Sequence, residues 1–326
     1  VLDASGQLVT DFTGIVNPTV KDSKVTVTCL KNSNKDDSPA FTFTDYPNTI
    51  FIGNDSVRNG KFSFTFTVPK DISYSNLQGK MNLYAVDTES GNEAQGNFDN
   101  FIVGGTSDTA ETDTIGPEIR ALYLNDTTFV DGGQVNTTPY FVAELWDKSG
   151  VNITGSSVGH DMMLVIDEST VLSYNLNSYY ELLLGEDGTG IVKFPIPALE
   201  PGKHTAEFWV WDILNNSTVR TFTFEVVEGL KPFLFDVIAT PGIAREQVTF
   251  HLMHNRPESR MRVGIMVYDL AGRQLWKHEE SGTSGLFENY TVSWDLTSGG
   301  ARMRPGVYIY RAAISTDNSK DATKAR

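Results

Sequence analysis

The feature that most constrains this chain is an alternation of period two. In Lys61-Phe62-Ser63-Phe64-Thr65-Phe66-Thr67-Val68 an apolar side chain stands at every second position, with small polar residues between. Successive side chains of an extended backbone point to opposite faces, so the run predicts a strand with one face on a core and one in water. Val57-Arg58-Asn59-Gly60 before it supplies an Asn-Gly turn, from which Thr49 to Gly53 could return as its neighbour. Pro69 has no backbone donor and predicts the strand exit.

The same period recurs along the chain. Gly79 to Asp87 and Phe98 to Val103 complete a first set of strands, and Gly104 to Thr114 has almost no side chain suited to a core, which predicts a linker. Glu118 to Leu124, Pro139 to Asp147, Met162 to Ile166, Gly190 to Phe194, Gly202 to Asp212 and Thr221 to Val226 form a second set. Gln247 to Leu252, Arg262 to Tyr268, Tyr290 to Asp295 and Gly306 to Ala312 form a third, with a tight turn at Asp269 to Arg273 and a polar, frayed tail from Asp317. Val171 to Leu176 reads as strand or loop. No apolar helical period persists for several turns. The expectation is an all-β chain of tandem immunoglobulin-like antiparallel β-sandwich domains, at residues 1–105, 116–228 and 229–326.

With 326 residues, core size does not limit such an arrangement. The 41 acids against 26 bases, a formal charge of −15, argue against nucleic acid as the main partner, because phosphate binding needs concentrated Lys and Arg. The single cysteine, Cys29, excludes an intramolecular disulfide, and its strand-like run predicts a buried structural thiol. No run of 18 apolar residues would span a bilayer as a helix. A start at Val1 is expected of a processed protein or a piece of a longer one.

The stretch Gly159-His160-Asp161 sets an imidazole beside a carboxylate. Neighbours on a strand project to opposite faces, so the pair is poorly arranged for mutual activation, and a structural turn at the strand entrance is the favoured reading. His251 and His254 would share a metal only if the backbone bent both rings to one point. Asp108, Asp113 and Asp147, or Asp167 and Glu168, could hold a structural Ca²⁺ where loops converge, although no EF-hand run is present and solvated turn acids are the commoner arrangement. There is no GxSxG elbow, no HExxH and no P-loop, and Gly299-Gly300 reads as a turn. Trp209 and Trp211 share one strand face. They could form a glycan platform, against the alternative of a buried aromatic ladder, and Asp212 after them reads as a loop-orienting acid. No residue is assigned to catalysis or to a cofactor.

An ordered series of segments carries a family resemblance: GNDSVRNGKFSFTFTVPKDI at 53–72, GKMNLYAVD at 79–87, FIVGG at 101–105, GHDMMLVID at 159–167, PGKHTAEFWVWDILNNS at 201–217 and VTFHLMHNRP at 248–257. Together they resemble the β-rich region after the peptidase domain in PorU-like sortases of the type IX secretion system, which are similar to gingipain-type cysteine peptidases of family C25. MVYDLAGRQLW at 266–276 and RPGVYIYRAAIS at 304–315 resemble the C-terminal signal domain of type IX cargo, with Thr240-Pro241-Gly242 in place of the cargo's usual Asn-Pro start.

The resemblance implies a noncatalytic accessory and docking region. The parent's upstream Cys-His machinery would cleave cargo signals and support attachment to anionic lipopolysaccharide, and Cys29 is not that nucleophile. It further implies a place at the cell surface, on the outer membrane of a Bacteroidota-like bacterium. The implied partners are an outer-membrane β-barrel secretion component, the chain's own upstream peptidase domain, and cargo signal domains or lipopolysaccharide. The alternative is a surface glycan-binding or adhesive module; an independent enzyme ranks below both.

Overall fold

The computed structural model describes all residues except 31–39, 107–112, 156–158, 184–187, 317–318 and 326. The described residues are all-β, with one 3₁₀ turn at Asn177–Tyr179 and no α-helix. Most of their strand pairs run antiparallel, while Gln134–Val135 runs parallel to Ser217–Val226. The antiparallel β-sandwich class expected from the period-two alternation is what the chain adopts. The described residues divide into two compact units, the first comprising Val1–Leu122, Val142–Phe194 and Thr205–Phe222, the second Tyr123–Phe141, Pro195–His204 and Thr223–Arg326.

In the first unit the strand Gly14–Lys21 pairs along its whole length with Lys80–Asp87, which in turn pairs with Glu93–Phe98. On its other side it meets two short strands, Asp55–Val57 and then Thr49–Ile52. Pro18 stands where one neighbour gives way to the next, so its missing N–H breaks no ladder, and its carbonyl accepts the Gly53 N–H at 3.0 Å. Phe12, Val16, Val57 and Ala85 form one apolar cluster beneath these strands, and Val20, Ile50, Ile72 and Val103 form another. Elsewhere in the unit Met163–Ile166 lies between Ser173–Asn175 and Gly202–Trp211, which resolves the ambiguous segment at 171–176 as a short strand.

The aromatic run at 61–68 departs from expectation. Asn59 and Gly60 adopt φ of 52° and 70°, and Arg58 and Lys61 form the bridge of a tight turn. Beyond that bridge no strand forms: residues 62–69 make no backbone hydrogen bond among the described residues. Phe62, Phe64 and Phe66 still alternate inward, half-buried, and Phe51 stacks on Phe64 and Phe66 with ring centroids 5.9 and 4.9 Å apart. The alternation correctly placed the three rings, whereas Val68, expected inward with them, is 49% exposed; apolar packing holds the segment without a ladder.

In the second unit Leu234–Thr240, Val248–His254 and Tyr290–Trp294 form one sheet, and Gln274–Gly282, Met261–Tyr268, Ile309–Ser315 and Ala322–Ala325 form another. Phe250, Leu252, Val263, Ile265, Val292, Trp294, Ala312 and Ile314 fill one core cluster, all buried. Each of the buried Val, Leu, Ile and Phe side chains contributes about 1.5–3 kcal/mol over its exposed state. The expected frayed tail is instead a strand, with Ala322 buried in that cluster. Asp269 closes the predicted turn by accepting the amides of Ala271 and Arg273 at 3.1 and 2.9 Å, with Gly272 at φ +81°. Gly299 and Gly300, both at positive φ, form the predicted turn between Thr297–Ser298 and Ala301–Arg302.

Candidate functional site

His160 and Asp161 have different partners. Gly159, at φ +94°, leads into His160, whose Nδ1 lies 2.7 Å from Oδ2 of Asp71, 89 residues away. The imidazole rests against Trp211 with ring centroids 4.4 Å apart. Asp161 instead accepts Nδ2 of Asn177 at 2.7 Å, and Asn177 Oδ1 accepts the Met162 amide at 2.8 Å, which ties down the start of the strand Met163–Ile166.

Asp71, only 8% exposed, is the hub. Besides His160 it accepts Asn152 Nδ2 at 3.1 Å and Asn215 Nδ2 at 3.0 Å. Lys70 beside it donates from its amide to Ile213 O and from Nζ to Leu214 O, both at 2.9 Å. Three donors satisfy the buried carboxylate and fix one arrangement of its segments, while Asn215 Oδ1 is left buried without a hydrogen-bond partner among the described residues. Sequence reading missed Asp71, because nothing in Val68-Pro69-Lys70-Asp71 distinguishes it locally.

A second constellation joins three carboxylates. Asp113, Asp147 and Asp212 place an oxygen each within 4.8 Å of one another. Asp147 is 4% exposed and Asp212 fully buried. Asp147 Oδ1 accepts the amides of Ser149 and Gly150; Asp212 accepts the amides of Leu214 and Asn216 and the Asn216 side chain; Asp113 accepts the Ile115 amide and the Ser149 hydroxyl. Burial pushes the Asp147 carboxyl up to about 6, against the pull of its two amide donors, and the charges of Asp212 and Asp113 add to the rise. Backbone donation from Ile115 and the Ser149 hydroxyl bond hold Asp113 low.

Oxygen-only donors at this spacing suit a hard cation, which needs several more oxygen ligands. Asp113 and Asp147 were legible as candidates for such chemistry. Asp212 joins them, whereas Asp167 and Glu168 occupy a positive-φ turn elsewhere and Asp108 lies outside the described residues.

The cluster makes a prediction. Mutual repulsion of buried carboxylates is relieved by a proton, an amide or a cation. The raised Asp147 carboxyl contributes stability that is present near pH 4 and lost as pH rises through 6. The full two-unit linkage is about 3 kcal/mol, and solvent near half-exposed Asp113 reduces it to on the order of 1–2 kcal/mol. Asp147→Asn therefore raises the melting temperature at pH 7.5 in EDTA, and the gain is almost gone at pH 3.5, below the unfolded pKa. Millimolar CaCl₂ raises the wild type more than the variant. A variant that melts lower than wild type in EDTA at both pH values contradicts this account.

The other sequence candidates stay apart. His251 Nε2 bonds Thr240 Oγ1 at 2.8 Å, and His254 Nε2 bonds Ser284 Oγ at 2.8 Å, so the two imidazoles serve different hydroxyls. Trp209 and Trp211 lie half-buried on the face opposite the core, where Phe208 and Val210 are fully buried. They form no buried ladder, and of the two only Trp211 meets His160, Trp209 donating to Glu207 at 3.3 Å. Cys29 is exposed, not buried: it follows the end of Val25–Thr28, which pairs with Thr42–Asp45 in a two-stranded ribbon whose described residues are exposed or half-buried.

No family model matches the chain, and no curated protein does. Among solved structures it is similar to dimeric latent PorU from Porphyromonas gingivalis, at 38% identity over 100% of this chain and 30% of that one, with a TM-score of 0.41. It is also similar to the N-terminal Ig1-2 module of the Drosophila receptor tyrosine phosphatase DLAR, at 12% identity over 64% of this chain and 95% of that one, TM-score 0.25. Chicken CNTN1 FN1-FN3 domains match at 9% identity over 76% and 77%, TM-score 0.21. The 38% identity is a sequence relationship, and this chain spans about 30% of the PorU chain it matches.

Proposed function

We propose that this chain is a noncatalytic accessory and docking region of a type IX secretion sortase, working beside an upstream peptidase domain that cleaves cargo signals and supports their attachment to anionic lipopolysaccharide. The observation that supports the reading is identity of 38% across the whole chain to a part of PorU, in line with the ordered segments from 53–72 to 304–315. On this reading residues 1–105, 116–228 and 229–326 are three successive β domains at the cell surface, and the last docks on an outer-membrane β-barrel component.

The test is affinity between the folded chain and that barrel component in detergent, with a matched chain lacking residues 229–326. The expected result is saturable binding that weakens at least tenfold on deletion, while the near-ultraviolet signal of Trp209 and Trp211 is retained. Equal binding by both chains counts against docking through the last domain. Lipopolysaccharide binding lost on replacing both tryptophans, with no barrel binding, would favour the glycan-binding module instead.

A further inference from the structure

We propose that residues 62–68 are an acceptor strand, to which an extended peptide bearing a Lys or Arg adds by backbone pairing. The most strand-like sequence in the chain is held extended by its phenylalanines yet makes no backbone hydrogen bond among the described residues. Local propensity and observed pairing agree almost everywhere else in this protein, and a conflict between them marks a site that function has left incomplete. Ser63, Thr65 and Thr67 are exposed between the inward rings, and Val68 at the end of the segment is the one apolar side chain in it that is exposed. A free edge of this kind is normally blunted by charge, proline or a covering loop.

The segment borders a cleft of about 610 Å³, whose other walls include the edge strand Thr49–Ile52 and Asp147. Thr49–Ile52 is the last strand of its sheet, paired on one side only by Gly14–Lys21. An incoming strand would satisfy the exposed backbone of 62–68 and place alternate side chains in the cleft, the pattern of recognition by strand addition.

Charge selects the occupant. Among the described residues the cleft wall carries Asp55 and Asp147, the latter 4% exposed and backed by the oxygens of Asp113 and Asp212; the one cation among those residues, Lys148, acts on Asp113. The excess of carboxylates favours a cationic side chain on the peptide.

Hydrogen exchange on the whole protein tests this with ten-residue peptides of alternating Val and Thr, carrying Lys or Glu at the centre. In the free protein the amides of 62–68 exchange at least about 100-fold faster than those of Lys80–Asp87, as open backbone does. The Lys peptide protects them at least tenfold and binds at least tenfold tighter than the Glu peptide. Thr65→Pro removes one donor from a stretch that uses none internally, so it abolishes binding while melting as wild type does; Thr65→Val retains binding.

Amides at 62–68 already as protected as those of Lys80–Asp87, or no protection by either peptide at millimolar concentration, overturns the acceptor strand. Equal binding by Thr65→Pro overturns backbone pairing, and equal affinity for the Lys and Glu peptides overturns the cationic occupant. If Thr65→Pro fails to fold, the wild-type exchange pattern and the peptide pair decide alone.

Discussion

Replacing Arg256 with alanine lowers the unfolding free energy by about 2–4 kcal/mol, from the loss of charge-assisted hydrogen bonds to buried carbonyls and the cavity left behind. Arg256 is 1% exposed. Its Nη1 donates to Asn255 O and Oδ1 at 3.1 and 3.0 Å, and Nη2 to Leu230 O and Lys231 O at 3.1 and 3.3 Å. The planar fork thus holds the segment at 230–231 to the end of the strand Val248–His254, within the second unit. Alanine would leave those carbonyls without their donor and open a cavity the size of a long side chain. Arg256→Lys recovers little, because one ammonium cannot reach two pairs of acceptors in a fixed fork. Denaturation followed through Trp276 and Trp294, which stack in the same unit at 4.7 Å, reads the effect. A loss below 1 kcal/mol for the alanine variant would falsify the clamp.

Acid acts at the next residue but one. His254 Nδ1 accepts the Arg256 amide at 3.1 Å while its Nε2 faces the Ser284 hydroxyl at 2.8 Å, so the neutral ring satisfies both neighbours. Burial pushes its pKa down from 6.5 to about 4, and the Arg256 charge pushes the same way. A folded value below the unfolded one means stability is present above pH 6.5 and lost as pH falls towards 4. The full linkage of two and a half units is about 3 kcal/mol, and partial solvent access brings it to roughly 2 kcal/mol. Wild type therefore loses about 2 kcal/mol more than His254→Gln between pH 7.5 and pH 4.5. The comparison cancels the carboxylates that titrate in both proteins, Asp147 among them. Equal losses in the two would show that the ring's protonation is not linked to folding.

The period-two alternation was sufficient to locate Val248–His254, Met261–Tyr268, Tyr290–Trp294 and Gly202–Trp211 nearly to the residue, because inward and outward positions along an extended chain are a local property. Gly60, Gly272 and Gly299 were legible for the same reason: a tight turn needs positive φ there, and glycine adopts it without steric cost. Composition likewise set the formal net charge of −15.

Pairing and convergence were not written locally. The run at 61–68 has every mark of a strand, yet a ladder needs a neighbour in register, and no described segment supplies one. The tail after Asp317 looks too polar to order, yet Ala322–Ala325 finds an open edge on Ile309–Ser315. His160 meets Asp71 across 89 residues, and Asp212 joins Asp113 and Asp147 from three separate turns. The amino-acid order by itself determined which backbone positions face inward and where the chain reverses, since both follow from single-residue sterics and polarity. Only the tertiary structure decided which edges stay open and which carboxylates are buried together, because those depend on distant segments competing for the same backbone partners and the same dry space.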